Sequence, residues 1–190
     1  DYDEFDKNIS HENSDFQRLI RSIADYATPG FHPSYASNYK KEKLYKEKER
    51  LERILKAQVK VSRQHFLMLQ FPNTYRNLME LEIKEDHTLG YSSQLGFRSG
   101  ICVPYYFYDL GREQKTNLRL VPFAIMDATM QYYQKLNAEA VFEVVKPVID
   151  SIKEVGGTLV TLWHNNSFSE YKEWRGWRKP YEEIVEYATS

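Results

Sequence analysis

The sequence has 190 residues, 42% of them hydrophobic, enough for one sizeable core and with nothing to mark out a second. With 26 basic against 27 acidic residues the net charge is -1, so the cationic footprint that nucleic acid or an anionic membrane surface requires is missing. The single cysteine, Cys102, excludes an internal disulfide framework and a cysteine-based zinc site, and reads as a small buried hydrophobe.

No apolar run approaches the roughly 20 residues that span a bilayer. The opening "DYDEFDKNIS" is acidic and polar, unlike a signal peptide. The chain therefore reads as soluble, with the cytoplasm favoured. Its beginning lacks methionine and resembles a mid-protein loop, so the expectation is a portion of a longer protein. The 15 Tyr, 10 Phe and 3 Trp exceed what such a core needs. A concave sugar-binding surface and ordinary half-buried packing both explain them.

Ser14-Asp15-Phe16-Gln17 reads as a capping box, opening a helix whose Phe16, Leu19, Ile20, Ile23, Ala24 and Ala27 recur at helical spacing until Thr28-Pro29-Gly30. After "GFHPSYAS", residues 39 to 56 predict a second helix, with Leu44, Leu51, Ile54 and Leu55 on one side and i, i+4 ion pairs such as Glu49 with Arg53 on the other. "QVKVSRQHF" predicts a strand of about five residues ending in Arg63-Gln64-His65. A helix then begins around Pro72 to Thr74, with Tyr75, Leu78 and Met79 inward.

"LEIKEDHT" is strand-like and ends at Asp86-His87, "GFRSGICVPYYFYDL" is extended and aromatic, and "NLRLVPFAIMD" is a further strand closing on Asp127. Asn137 caps a long helix, with Val141, Val144, Val145, Val148, Ile152 and Val155 inward, in which Pro147 predicts a kink or break before Gly156 and Gly157 end it. The apolar "TLVTLW" runs into His164, and "KPYEEIVEYA" makes the last helix.

Helices and strands alternate without consecutive hairpins, repeats or a glycine-rich phosphate loop. The fold class expected is α/β, a deformed or partial (β/α) barrel of mainly parallel strands. Four of the five histidines, His32, His65, His87 and His164, follow apolar or extended segments. In such a barrel the carboxyl ends of the strands share one face, where active sites are built. Imidazole suits that place as a general acid or base and as a metal ligand. Each could equally be an ordinary loop histidine. Asp86, Asp127, Arg63 and Arg98 lie at similar strand ends, where surface ion pairing is the other explanation.

"GFHPSYAS", "EKERLERIL", "SRQHFL", "GFRSGICVPYYFYDL" and "LWHNNSF", in that order, resemble a bacterial subgroup of the NodB-homology polysaccharide deacetylases. These are carbohydrate esterases that remove acetyl groups from sugars. The resemblance implies one deacetylase-like domain over residues 1–190, as the carboxyl-terminal portion of a longer barrel. It puts the family's general-acid histidine on His164 and the first histidine of its metal motif on His32. The motif's second histidine has Ala36 in its place.

The family's arginine motif is similar to Arg63-Gln64-His65-Phe66, with His65 where proline usually stands. His65 is then a catalytic or substrate-binding candidate, or a restored metal ligand. Asp86 looks like the acid that positions the catalytic base. The family's aspartate pair, one the base and one a ligand, has no counterpart, which implies little turnover from these residues alone.

The implied chemistry is metal-assisted deacetylation of a carbohydrate substrate, with a divalent metal ion such as zinc. Arg63 or Arg98 orients the carboxylate, and Trp163, Asn165 and Tyr35 bind the sugar. A non-catalytic carbohydrate-binding module that lost the metal is the alternative, and a metal-independent acid-base enzyme using His65, His164 and Asp86 is a third reading. A barrel short of a strand also implies edges that a second copy of the chain could cover.

Overall fold

The computed structural model describes residues 4–190, which fall into two compact units. The first comprises the described part of Asp1–Thr88 together with Tyr105–Leu120, and the second comprises Leu89–Pro104 and Val121–Ser190. Among the described residues no helix is long and apolar enough to cross a membrane.

In the first unit, α1 (Ser14–Ala24) is capped by Asn13, whose side chain accepts from the Phe16 N–H at 2.9 Å, one residue before the predicted capping box. Its apolar residues keep the helical spacing yet none is buried, and Leu19 and Ile23 are about half exposed. Helix α2 (Lys41–Leu55) buries Leu44 and ends where Lys56 turns left-handed. Its Glu52 accepts from Lys48 at 2.5 Å and from the Val59 N–H at 2.9 Å, tying the helix end to the strand that follows. Helix α3 (Asn73–Glu80) buries Tyr75 and Leu78.

Four strands make the first unit's sheet: β1 (Val61–Ser62), β2 (Glu85–Asp86), β3 (Tyr105–Asp109) and β4 (Gln114–Leu120). Their order is β1-β2-β4-β3, with β1, β2 and β4 parallel and β3 antiparallel to β4. β3 and β4 form a single hairpin, whose turn contains Gly111. β1 is shorter than the roughly five residues predicted.

The second unit holds a two-stranded parallel sheet of β5 (Ile125–Met126) and β6 (Thr161–Leu162), in register Ile125↔Thr161. "NLRLVPFAIMD" is thus two strands in two sheets, divided at Pro122, which has no N–H for a ladder. Helix α4 (Ala138–Glu154) is capped by Asn137, and Val141, Val145, Ile149 and Ile152 are buried along one stripe. Pro147 lies inside it without breaking it. Helix α5 (Arg178–Thr189) packs on α4, where the Tyr187 hydroxyl donates to Asp150 at 2.5 Å and the Tyr187 ring meets Phe142 edge-on.

The architecture is mixed α/β with mainly parallel pairing. Among the described residues neither sheet closes on itself, so barrel closure is not part of what is seen.

Candidate functional site

The candidate residues fall into two groups, one in each unit. In the first unit Phe31 joins β1 as a parallel bridge to Ser62: its N–H donates to the Val61 carbonyl at 2.7 Å, and the Arg63 N–H donates back to the Phe31 carbonyl at 3.0 Å. With Phe31 buried as the anchor, the next residue, His32, is brought against the loop that follows β1. His32 Nε2 lies 3.0 Å from His65 Nδ1, and the two rings meet edge to face. His32 Nδ1 is 2.8 Å from the Arg63 carbonyl.

His65 Nε2 is 2.9 Å from the Phe5 carbonyl and 3.7 Å from an Asp6 carboxylate oxygen. Asp6 itself is nearly buried and accepts the Tyr35 N–H through both oxygens, at 2.9 and 3.1 Å. Asp6, His11, Phe31, His32, Glu47 and His65 help to line a cleft of about 380 Å³. Beside it is a cluster of rings: Phe5 stacks on Tyr35 at 4.4 Å, and Phe66 meets both of them and His65 edge-on. Phe66 is 59% exposed and holds φ at +53°, so the tight turn after His65 presents the ring outward.

Asp86, expected to position a base, is fully buried and spans β1 and β2 instead. Its Oδ2 accepts from Ser62 Oγ at 2.7 Å and Thr88 Oγ1 at 2.8 Å, and its Oδ1 accepts from the Thr88 N–H at 3.0 Å. Burial pushes its carboxyl above the ordinary range, and these hydrogen bonds only partly offset that. Arg63 is pushed below its ordinary value by burial, with the Asp86 charge opposing, and its Nε donates to the His87 carbonyl at 3.1 Å. His87 Nε2 pairs with Glu85 at 2.8 Å.

In the second unit the ends of β5 and β6 bring Asp127 beside His164. The His164 N–H donates to Asp127 Oδ2 at 2.7 Å, and Nδ1 of the ring lies 2.7 Å from Oδ1. Ser167 Oγ and the Ala128 N–H also donate to this fully buried carboxylate. Burial alone would raise the Asp127 carboxyl, but the bonds from His164 and Ser167 outweigh it and hold the group below the usual carboxylate range. The His164 side chain is 49% exposed, and its Nε2 has no hydrogen-bond partner among the described residues.

Trp163, expected to stack on sugar, is packed among Phe168, Trp177 and Tyr181, and its Nε1 is buried without a hydrogen-bond partner among the described residues. Asn165 is exposed in the 3-10 turn Asn165–Phe168. Arg98 is exposed and donates to the Gly90 carbonyl at 3.2 Å rather than to a carboxylate. The residues that sequence reasoning passed over are Asp6, Phe66 and Ser167, while Asp127 was recognised only as a strand-end acid. For Phe66 the signal was adjacency to His65. Asp6 gave none, because its partners lie about 29 and 59 residues away in the chain.

Among the described residues no three His, Cys, Asp or Glu side chains converge as a metal-binding group. His32 Nδ1 faces a backbone carbonyl, and its Nε2 faces His65 Nδ1 at 3.0 Å.

No protein-family model matches the sequence, and no curated protein matches it. Solved structures do. A Mycobacterium smegmatis protein described as a polysaccharide deacetylase aligns with a TM-score of 0.63 at 16% identity, over 90% of this chain and 60% of that one. One from Pseudomonas aeruginosa PAO1, similarly described, gives 0.62 at 17% identity, over 91% of this chain and 57% of that one. The allantoinase PuuE gives 0.60 at 14%, over 91% and 57%. The chain thus spans less than two thirds of each neighbour's length. The likeness is one of fold, and that fold is the NodB-type deacetylase fold.

Proposed function

We propose that the chain belongs to a polysaccharide deacetylase-like hydrolase that removes acetyl groups from a carbohydrate, with His164 as general acid. The observation that carries this is the bond from His164 Nδ1 to the buried Asp127 carboxylate, which leaves Nε2 on a half-exposed ring. That is how an imidazole is held for proton transfer: one nitrogen fixes tautomer and orientation, and the other faces the substrate. The deacetylase fold supports the choice of reaction. The same reading takes residues 1–190 as one domain of deformed-barrel type, which the parallel pairing of β1 with β2 and of β5 with β6 supports.

In this reading water attacks the acetyl carbonyl carbon and gives up a proton to the base, the role the resemblance gives to one of the family's aspartates; the bond from that carbon to the sugar nitrogen or oxygen breaks, and its electron pair stays with the leaving atom. His164 Nε2 supplies that atom's proton, and the Asp127 carboxylate stabilises the imidazole while it carries charge. A divalent ion, when bound, polarises the acetyl oxygen and acidifies the attacking water. His32 Nε2 is the ligand proposed for it. Asp86 positions the Arg63 loop rather than touching substrate. Tyr35 and Phe66 offer ring surface for sugar in the first unit, and Asn165 offers a polar side chain beside His164 in the second. The reading also predicts little turnover from these residues alone, since the resemblance finds no counterpart of the family's aspartate pair.

The test is acetate release from acetylated chito-oligosaccharides by the full-length protein, wild type against His164→Gln. A fall of about 10²-fold or more in kcat with unchanged metal content supports the assignment. Equal rates would refute it. Sugar binding with no acetate released by any form would replace it with the binding-module reading.

A further inference from the structure

We propose that the cleft between α3 and the β3–β4 hairpin of the first unit binds an acidic carbohydrate through its carboxylate or phosphate group. The proposal stands apart from the assignment of His164, and its test reads binding rather than acetate release.

The cleft exists because two neighbouring strands differ in length. β4 has seven residues and β2 two, and β2 pairs only with Arg119 and Leu120 of β4. Residues 114–118 therefore run on without a strand on that side among the described residues. A space of about 380 Å³ opens there, closed on its other side by Arg76, Met79 and Glu80 of α3.

Four cations, Arg76, Lys84, Arg112 and Lys115, and two acids, Glu80 and Asp109, help to line it. Both acids are already engaged. Asp109 is buried and takes the Arg76 guanidinium through both oxygens, at 2.7 and 2.8 Å, which holds its carboxyl below the usual range. Glu80 accepts from Lys41 and, at 3.1 Å, from the Tyr45 hydroxyl, neither of which lines the cleft. Arg112 comes no closer than 3.9 Å to the Asp109 carboxylate. Lys84 and Lys115 are exposed and have no carboxylate partner among the described residues. A chain of net charge -1 thus concentrates three cations, none with a close acid, in one concavity. Such a concavity attracts an anion. The exposed Gln114 and Asn117 amides add neutral donors to it.

Tyrosines make the ligand a sugar rather than a bare ion. Tyr106 and Tyr108 are 50% and 49% exposed on β3, and Lys115 Nζ lies 5.0 Å from the centre of the Tyr106 ring. Cation and ring surface are therefore adjacent, as an acidic sugar requires for its charged group and its apolar ring face.

The experiment uses the full-length protein at low salt with oligogalacturonate, phosphomannan and neutral chito-oligosaccharide as probes, read by calorimetry and ¹⁵N amide shifts. At least one acidic probe should bind, with shifts at residues 84 and 112–117 and an affinity that falls as salt is added. Combining Lys84→Glu with Lys115→Glu should weaken it at least about tenfold. Combining Lys56→Glu with Lys179→Glu, two exposed cations outside the cleft, should leave it unchanged. The tighter acidic probe identifies the anion as carboxylate or phosphate. The wild-type shifts locate the ligand even if a charge reversal disturbs folding. The inference falls if neither acidic probe binds, if both pairs of reversals weaken binding equally, or if neutral sugar binds at these residues as tightly. Acetate release still judges the hydrolase reading by itself.

Discussion

Asp127 holds His164 twice, taking its backbone N–H through one carboxylate oxygen and its ring Nδ1–H through the other, each at 2.7 Å. The double contact fixes where the residue sits and which nitrogen is left for chemistry. Asp127→Asn keeps the shape but replaces one acceptor oxygen with a donor. We expect stability to fall by about 1–3 kcal/mol and acetate release by about 10²-fold or more.

The pH dependence of that loss has a definite sign. The folded-state value of Asp127 lies below its unfolded value, which is near about 3.9. Its contribution is therefore in place above about pH 4 and is lost as pH falls through the lower folded value. Denaturant midpoints measured between neutral pH and strong acid should show a constant gap between wild type and Asp127→Asn down to about pH 4, and a narrowing gap below. A gap that widened in acid would contradict the assignment.

Asp86 behaves in the opposite sense. Its carboxyl is raised by burial, so the stability it lends is complete below an unfolded value near about 3.9 and is lost as pH rises through the folded value. Asp86→Asn does not titrate, and an amide can still exchange hydrogen bonds with the Ser62 and Thr88 hydroxyls. The variant should gain on wild type as pH climbs from about 4 to 7. A pH-independent difference in urea midpoint would show that the carboxyl is not raised.

These paired groups show where the sequence was legible and where it was not. His164 and Asp127 each stand out as polar residues ending an apolar strand, and that pattern is local. Their meeting depends on Ile125 pairing with Thr161, a long-range parallel register that no local signal carries. The same holds for His32 and His65, joined through the Phe31 bridge to Ser62. Trp163 misleads because a ring beside a strand-end histidine looks available, while its neighbours Trp177 and Tyr181 come later in the chain and enclose it. Helix α1 misleads the other way: its spacing is helical, but spacing says nothing about whether anything covers the stripe. The β3–β4 hairpin was readable from Gly111 between two extended segments.

Gly90 tests the packing of the second unit. A Cβ there would lie 2.3 Å from Phe123 Cε1 and Cζ, and Phe123 is only 2% exposed, so neither partner can move away cheaply. Gly90→Ala should cost about 1–3 kcal/mol or more. Combining it with Phe123→Leu should be markedly less than additive, since the second change removes the ring atoms the new methyl strikes. Additive losses in thermal or urea melts would mean that the clash is not the cause.

Phe66 separates sugar binding from folding. The ring is 59% exposed at the turn after His65, and Tyr35 and Phe5 form the surface it adjoins. Removing so exposed a side chain should change stability by no more than about 0.5 kcal/mol. If the ring stacks on sugar, however, Phe66→Ala forfeits roughly 0.5–1.5 kcal/mol of contact, which is about a two- to twelvefold weaker affinity. The expected kinetic pattern is a raised KM with kcat little altered, because stacking holds substrate and transition state alike. Because φ is +53° here, Phe66→Gly should be more stable than Phe66→Ala by up to about 1 kcal/mol while binding sugar no better. Titration of acetylated chito-oligosaccharide into the three proteins reads the affinity without relying on turnover. Unchanged affinity in both variants would move the sugar platform away from this loop.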